Sequence, residues 1–114
     1  MKFMLLINLG SKARDYKSLT EEEQKAIAAG YQAINETSGV TSGNQLQPPE
    51  AATTVRMQDS KTVATDGPFV DTNAALDGYG CFEADDLDAA IELASRIPGV
   101  SMGGAVEVRP LVES

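Results

Sequence analysis

The stretch LDGYGCFEADDLDAAIELASRIPGVSMGGAVEVRPL, residues 76–111, reads as strand, helix, strand. GYGCFE mixes aromatic, apolar and small residues at strand length, with Gly78 and Gly80 on either side of Tyr79. Asp85 or Asp86 then offers a helix cap, and Leu87, Ala90, Ile91, Ala94 and Ile97 recur at helical spacing. Pro98-Gly99 stops the helix. Beyond a glycine-rich loop, Val106 and Val108 alternate with Glu107 and Arg109, the period of a last strand.

The beginning of the chain repeats this plan. In MKFMLLINLG, residues 1–10, Phe3, Leu5, Ile7 and Leu9 sit at strand spacing, and no small-residue cleavage site follows. A buried first strand, apolar on both faces, is therefore expected in place of an export signal. SLTEEEQKAIAAGYQAINETSG, residues 18–39, holds two overlapping capping boxes, Ser18 with Glu21 and Thr20 with Glu23. Ile27, Tyr31 and Ile34, joined by Ala26, Gly30 and Ala33, form the stripe that faces the sheet, and Gly39 ends the helix. A short edge strand is expected near Asn44 to Gln47, closed by Pro48 and Pro49. ATTVRMQ and KTVAT, joined by Asp59-Ser60, read as a hairpin with Thr53, Val55 and Met57 on one face and Thr54, Arg56 and Gln58 on the other.

The predicted order is β-α-β, a β-hairpin insertion, then β-α-β, in a single domain over residues 1–114. That is an α+β fold of the ferredoxin-like, split βαβ kind. Right-handed crossovers place both helices on one face of an antiparallel sheet. The other face is then bare, exposing Phe3 or Met4, Tyr79 or Phe82, and Val106 with Val108. An apolar patch of that size needs a cover, and a second copy of the chain is the expected one: a homodimer through the sheet face.

Bulk composition limits the function. Apolar residues make up 42% and charged residues 23% of the 114 positions, as in folded globular domains. The net charge of −8 disfavours nucleic acid, whose binding rests on Lys and Arg. From Asp77 to Glu92 there are six acids and no base, whereas Lys12, Arg14 and Lys17 surround Asp15 in SKARDYK. That basic segment is read as a solvated loop or a local guide for a small anion. No stretch approaches the ~20 apolar residues of a membrane span. One cysteine, Cys81, makes no intrachain disulfide and fits a reducing compartment, so a cytoplasmic location is expected.

Few side chains announce chemistry. Asp66 opens the turn Asp66-Gly67-Pro68-Phe69, where an aspartate commonly initiates a turn and where burial would make it a general base. Phe69 is expected to tuck this turn onto the core. Tyr31 and Tyr79 offer phenols to a ligand, and the glycines around Tyr79 permit a close approach. Arg56 and Arg109 point away from the apolar faces of their strands, where either clamps a carboxylate or pairs with a surface acid. Without histidine, Cys81 lacks the base a nucleophile needs, and it reads as a small buried residue. No metal site is expected, and no cofactor, because neither glycine run leads into a helix N-terminus.

TDGPFVDTNAALDGYGCFEADDLDAAIELASRIPG at 65–99, GGAVEVRPL at 103–111, MKFMLLI at 1–7 and LQPPEAATTVR at 46–56 resemble the DGPF-domain branch of the YCII-related family. The resemblance spans nearly the whole chain. It implies a ferredoxin-like domain that dimerises through its sheet, the dimeric α/β-barrel arrangement. It also implies an acid–base pair of a first-helix histidine and an aspartate, the latter at Asp66. The histidine has no counterpart here, and Tyr31 or a neighbour takes that place. The leading expectation is a small-molecule binder whose cleft is contacted by Asp66, Phe69, Tyr79 and Arg109, with Tyr31 beside them. The alternatives are a metal-free, cofactor-free enzyme (isomerase, lyase or oxygenase-like) with Asp66 as base, and an interaction module meeting a basic partner.

Overall fold

Alternation along the first strand decides which sheet face meets the helices. The computed structural model describes residues 1–10, 15–70 and 76–113, and in it β1 (Lys2–Asn8) buries Phe3, Leu5 and Ile7. Met4 and Leu6, pointing the other way, are half-buried. Lys12 and Arg14 of the basic segment lie outside the described residues, as do positions 71–75.

β1 is central. It pairs antiparallel with β5 (Gly78–Glu83) on one side and with β6 (Ala105–Pro110) on the other. β2 (Val40–Gln45) pairs antiparallel with β5, giving the order β2-β5-β1-β6. Helix α1 (Glu21–Asn35) joins β1 to β2, and α2 (Leu87–Ser95) joins β5 to β6. Each βαβ unit straddles a strand of the other, an arrangement compatible with a ferredoxin-like fold. No helix among the described residues is long and apolar enough to cross a membrane.

Of the two capping boxes expected for α1, the one at Thr20 forms. The Glu23 N–H donates to Thr20 Oγ1 at 3.1 Å, and the Thr20 N–H donates to Glu23 Oε1 at 3.1 Å. Ser18 instead gives its hydroxyl to the Asp15 carbonyl. Asp86, not Asp85, caps α2, accepting the Ala89 N–H at 2.9 Å.

The apolar stripe of α2 is rotated from the expected one. Ala90, Leu93, Ala94 and Ile97 are buried, while Leu87 and Ile91 are 47% and 50% exposed. α2 is apolar around most of its circumference, so two stripes fit the same residues, and packing against Phe3 and β6 selects the one through Leu93. Phe3, Leu93 and Ile97 are the largest side chains fully withdrawn from water.

β2 starts at Val40, four residues before the expected strand, because Val40 pairs with Phe82 and packs against the core. Its sequence VTSGNQ carries little alternation that would reveal this. The expected occupants of the helix-free face also change. Phe3 pairs with Phe82 beneath the helices, and Val106 and Val108 pack against the core as well. Register puts Met4 opposite Cys81 and Arg109, and Leu6 opposite Tyr79 and Glu107, on the helix-free face. Lys2 and Glu83 flank them.

β3 (Thr53–Gln58) and β4 (Lys61–Asp66) form a separate two-stranded sheet. Asp59 and Ser60 link them with φ of 50° and 66°, the left-handed pair of a two-residue hairpin turn. Val55 and Met57 are mostly exposed on this arm. The radius of gyration is 15.8 Å against roughly 13 Å for a compact chain of this length, as a projecting arm requires.

Candidate functional site

The positions of β5 that face the helices are Gly78, Gly80 and Phe82, paired with Ile7, Leu5 and Phe3 of β1. On the next strand Gly43 lies opposite Gly80. The sheet therefore has three consecutive bare positions beneath α1. A cavity of about 670 Å³ occupies that space, a size typical of small-molecule pockets. Ile27, Tyr31, Ile34 and Asn35 form its roof, and Leu5, Leu9, Ile97 and Gly99 close one end.

α1 also touches the chain beyond the sheet. A Cβ on Gly30 would lie 2.6 Å from Pro98 Cγ, so the helix leans directly on the turn Pro98–Met102. Ile34 is the only residue of α1 that is buried among those described; Ile27 and Tyr31 are half-buried over the cavity. The expected stripe is present, but Ala26 and Ala33 belong to the solvent side.

Gly80 is informative because nothing in the backbone demands a glycine there. It lacks the positive φ seen at Gly10, Gly39, Gly67 and Gly103, and an added Cβ would meet only Ser42 O at an ordinary 3.6 Å. The fold would accept a side chain at this position, but the cavity would lose volume to it.

Asp77 brings a carboxylate to the edge of the site. It is 6% exposed and borders the cavity just ahead of β5. The Leu9 N–H donates to its Oδ2 at 2.8 Å. Its backbone N–H donates to the Ile7 carbonyl and its carbonyl accepts from the Leu46 N–H, which fixes the residue between β1 and the end of β2. Burial, with the Asp77 charge adding to it, pushes the Tyr31 phenol up to about 12. Tyr31 thus stays protonated at neutral pH and serves as a hydrogen-bonding group.

Of the residues singled out in the sequence, Tyr31 and Tyr79 border this cavity. Tyr79 does so through its strand; its hydroxyl accepts a hydrogen bond from Asn44 Nδ2 at 3.1 Å, on the helix-free side. Asp66 is exposed at the end of β4 and does not border the cavity. Phe69 is 75% exposed instead of tucked onto the core, with the Arg56 guanidinium 5.5 Å from its ring centre, a cation–π contact. The turn is fastened to the arm: the Gly67 N–H donates to the Ala52 carbonyl, and the Thr54 hydroxyl donates to the Gly67 carbonyl. Phe69 lines a shallower groove with Leu46, Pro49 and Leu76. Arg109 pairs with Glu107 on the helix-free face of β6.

Cys81 lies half-buried, its Sγ 4.0 Å from Met4 Sδ. Among the described residues no three His, Cys, Asp or Glu side chains gather as a metal site. Asp77 was one of six acids in an acidic run when read in sequence. The signal that distinguishes it is its place between Leu76 and a glycine-rich strand that is otherwise uncharged until Glu83.

The family model described as the YCII-related domain matches residues 1–114. The chain belongs to the YCII-related domain family. A curated relative from Rhizobium meliloti (strain 1021), named only as an uncharacterized protein, is 35% identical over 68 residues. That match covers 59% of this chain and 55% of the relative, so the chain spans about half the length of the relative it matches. Within this YCII-related domain, the carboxylate that acts on the first-helix phenol is Asp77.

Proposed function

We propose that this YCII-related domain binds a small molecule in the cavity beneath α1. The observation that carries the reading is Gly80, a glycine the backbone does not need, beside Gly78 and Gly43 in the cavity floor. Apolar residues from α1, β1 and the Pro98 turn surround an apolar body, while Tyr31, Asn35, Ser42 and Asp77 offer a few polar groups to orient it. Binding is favoured over proton-transfer catalysis because apolar residues and glycines make up most of the cavity lining. Asp66 lies outside the cavity and gains no support as its base.

The test is a thermal-shift screen of small aromatic and aliphatic fragments against the natural protein and Gly80→Val. Compounds that raise the melting temperature of the first are expected to leave the second unmoved. An equal response from both proteins places binding elsewhere and sinks the reading.

The domain is further proposed to act as a cytoplasmic homodimer through the helix-free face. Met4, Leu6, Tyr79 and Cys81 form an apolar centre there, with Lys2, Glu83, Glu107 and Arg109 around it, the pattern of a protein interface. The unpaired Cys81 within that centre suits a reducing compartment. Light scattering at micromolar concentration should give the mass of two chains, and Leu6→Lys should give one. A stable single chain in the natural protein overturns the dimer.

A further inference from the structure

Large apolar side chains left open to water gather on the β3–β4 ribbon and at its base. Leu46, Val55, Met57, Phe69, Val70 and Leu76 are each 40% exposed or more. The two faces of the ribbon differ. On one, the Thr54 hydroxyl binds the Gly67 carbonyl, Val63 is half-buried and Arg56 meets Phe69, so the turn after β4 gives it a cover. On the other, register sets Val55 beside Ala64 and Met57 beside Thr62. All four are exposed, Val55 and Met57 by 64% and 67%. A two-stranded ribbon is marginal in water without such a cover, and methionine is among the residues enriched at interfaces.

Area and charge point to a second copy of this chain as the cover. Strands of six or seven residues turn every second side chain to the helix-free face, so the four of them supply about a dozen. A stable dimer uses ~20–30 residues on each side. The sheet face alone falls short of that, and the open face of the ribbon with the apolar side chains at its base makes up much of the difference. The chain carries a net charge of −8, yet residues 53–66 hold two bases, Arg56 and Lys61, against two acids, Asp59 and Asp66. Two copies repel one another overall, and the ribbon is a segment without net charge that approaches another copy unopposed. Its placement agrees. The chain is 19 Å through its thinnest direction and 46 by 43 Å across. One helix layer on one sheet takes up that thickness, so the ribbon extends sideways, beyond its own sheet.

We propose that the β3–β4 ribbon is an interface arm, whose Val55 and Met57 face lies on the partner copy in the dimer proposed above, on which this inference rests. Copies joined through their helix-free faces leave the ribbon of each overhanging the other, and twofold symmetry makes the contact twice.

Sedimentation equilibrium on the natural chain and on the double variant Val55→Lys, Met57→Lys tests the arm. The natural protein should sediment as two chains at micromolar concentration. The variant should show a dissociation constant raised about hundredfold, since each substitution counts twice across a twofold interface. A second measurement needs no variant. In a mixture of isotope-labelled and unlabelled natural chains, the Met57 methyl of one should show filtered nuclear Overhauser effects to the other. A pair that sediments as two chains with its affinity unchanged in the double variant overturns the arm and leaves the sheet-face dimer standing. Silence from the Met57 methyl in such a pair does the same. A natural protein that sediments as one chain overturns the arm and the dimer together, and leaves small-molecule binding to its own screen.

Discussion

The two helices lie on one sheet face and use it in opposite ways. Beneath α2 the space is filled: Ala90, Leu93 and Ala94 join Phe3 in the buried core, with Val106 and Val108 of β6 packed against it. Beneath α1 it is hollow, because β5 and β2 present Gly78, Gly80 and Gly43 where β1 presents Phe3, Leu5 and Ile7. The same topology therefore yields a packed half that holds the fold and an open half available to a ligand. Residue size at a few inward positions separates them.

Substitutions should reveal this asymmetry, the largest on the packed side. Leu93→Ala is expected to cost about 3 kcal/mol in urea unfolding, since a fully buried leucine leaves a void its rigid surroundings cannot close. Ile27→Ala, over the cavity, should cost about 1 kcal/mol or less, and equal losses at the two sites would contradict the contrast. Thr20→Ala should cost about 1 kcal/mol, because α1 has little packing to spare if its cap is lost. Gly80→Ala should stabilise the protein by about 0.5 kcal/mol, as a side chain with room to stand restricts the unfolded strand; a marked loss would show that the glycine serves the fold.

The last contrast is a pH slope. The Tyr31 phenol is raised in the folded state, so its contribution is complete below its ordinary value of 10.0 and is lost as pH rises through about 12. Alkaline unfolding of the natural protein should steepen across that window. In Tyr31→Phe this part of the slope should be absent, and an unchanged slope would mean that the phenol is open to water.

Elements with strong local signals were legible in the sequence. β1, the helix cap at Thr20, the α2 stop at Pro98 and the hairpin turn each depend on residues within a few positions of one another. The stripe of α2 was ambiguous because Leu87 and Ile91 fit a helix period as well as Leu93 does, and the partner strands decide between them. The start of β2 is not legible in sequence, because its polar residues take their position from Phe82 across the sheet. The candidate site was the least legible part. Asp77 and Tyr31 are far apart in sequence, and only the pairing of β1 with β5 buries the carboxylate beside the phenol's cavity. The turn at Asp66, which looks the more distinctive, belongs to the arm.

The tip of that arm has a cost of its own. Asp59 and Ser60 both adopt a backbone that glycine or asparagine takes with little strain, and serine is poorly suited to it. A two-stranded ribbon is marginal by itself. Thermal opening should therefore begin at this loop and run down β3 and β4 before it reaches the four-stranded sheet, so amide protons of the ribbon should exchange with solvent first.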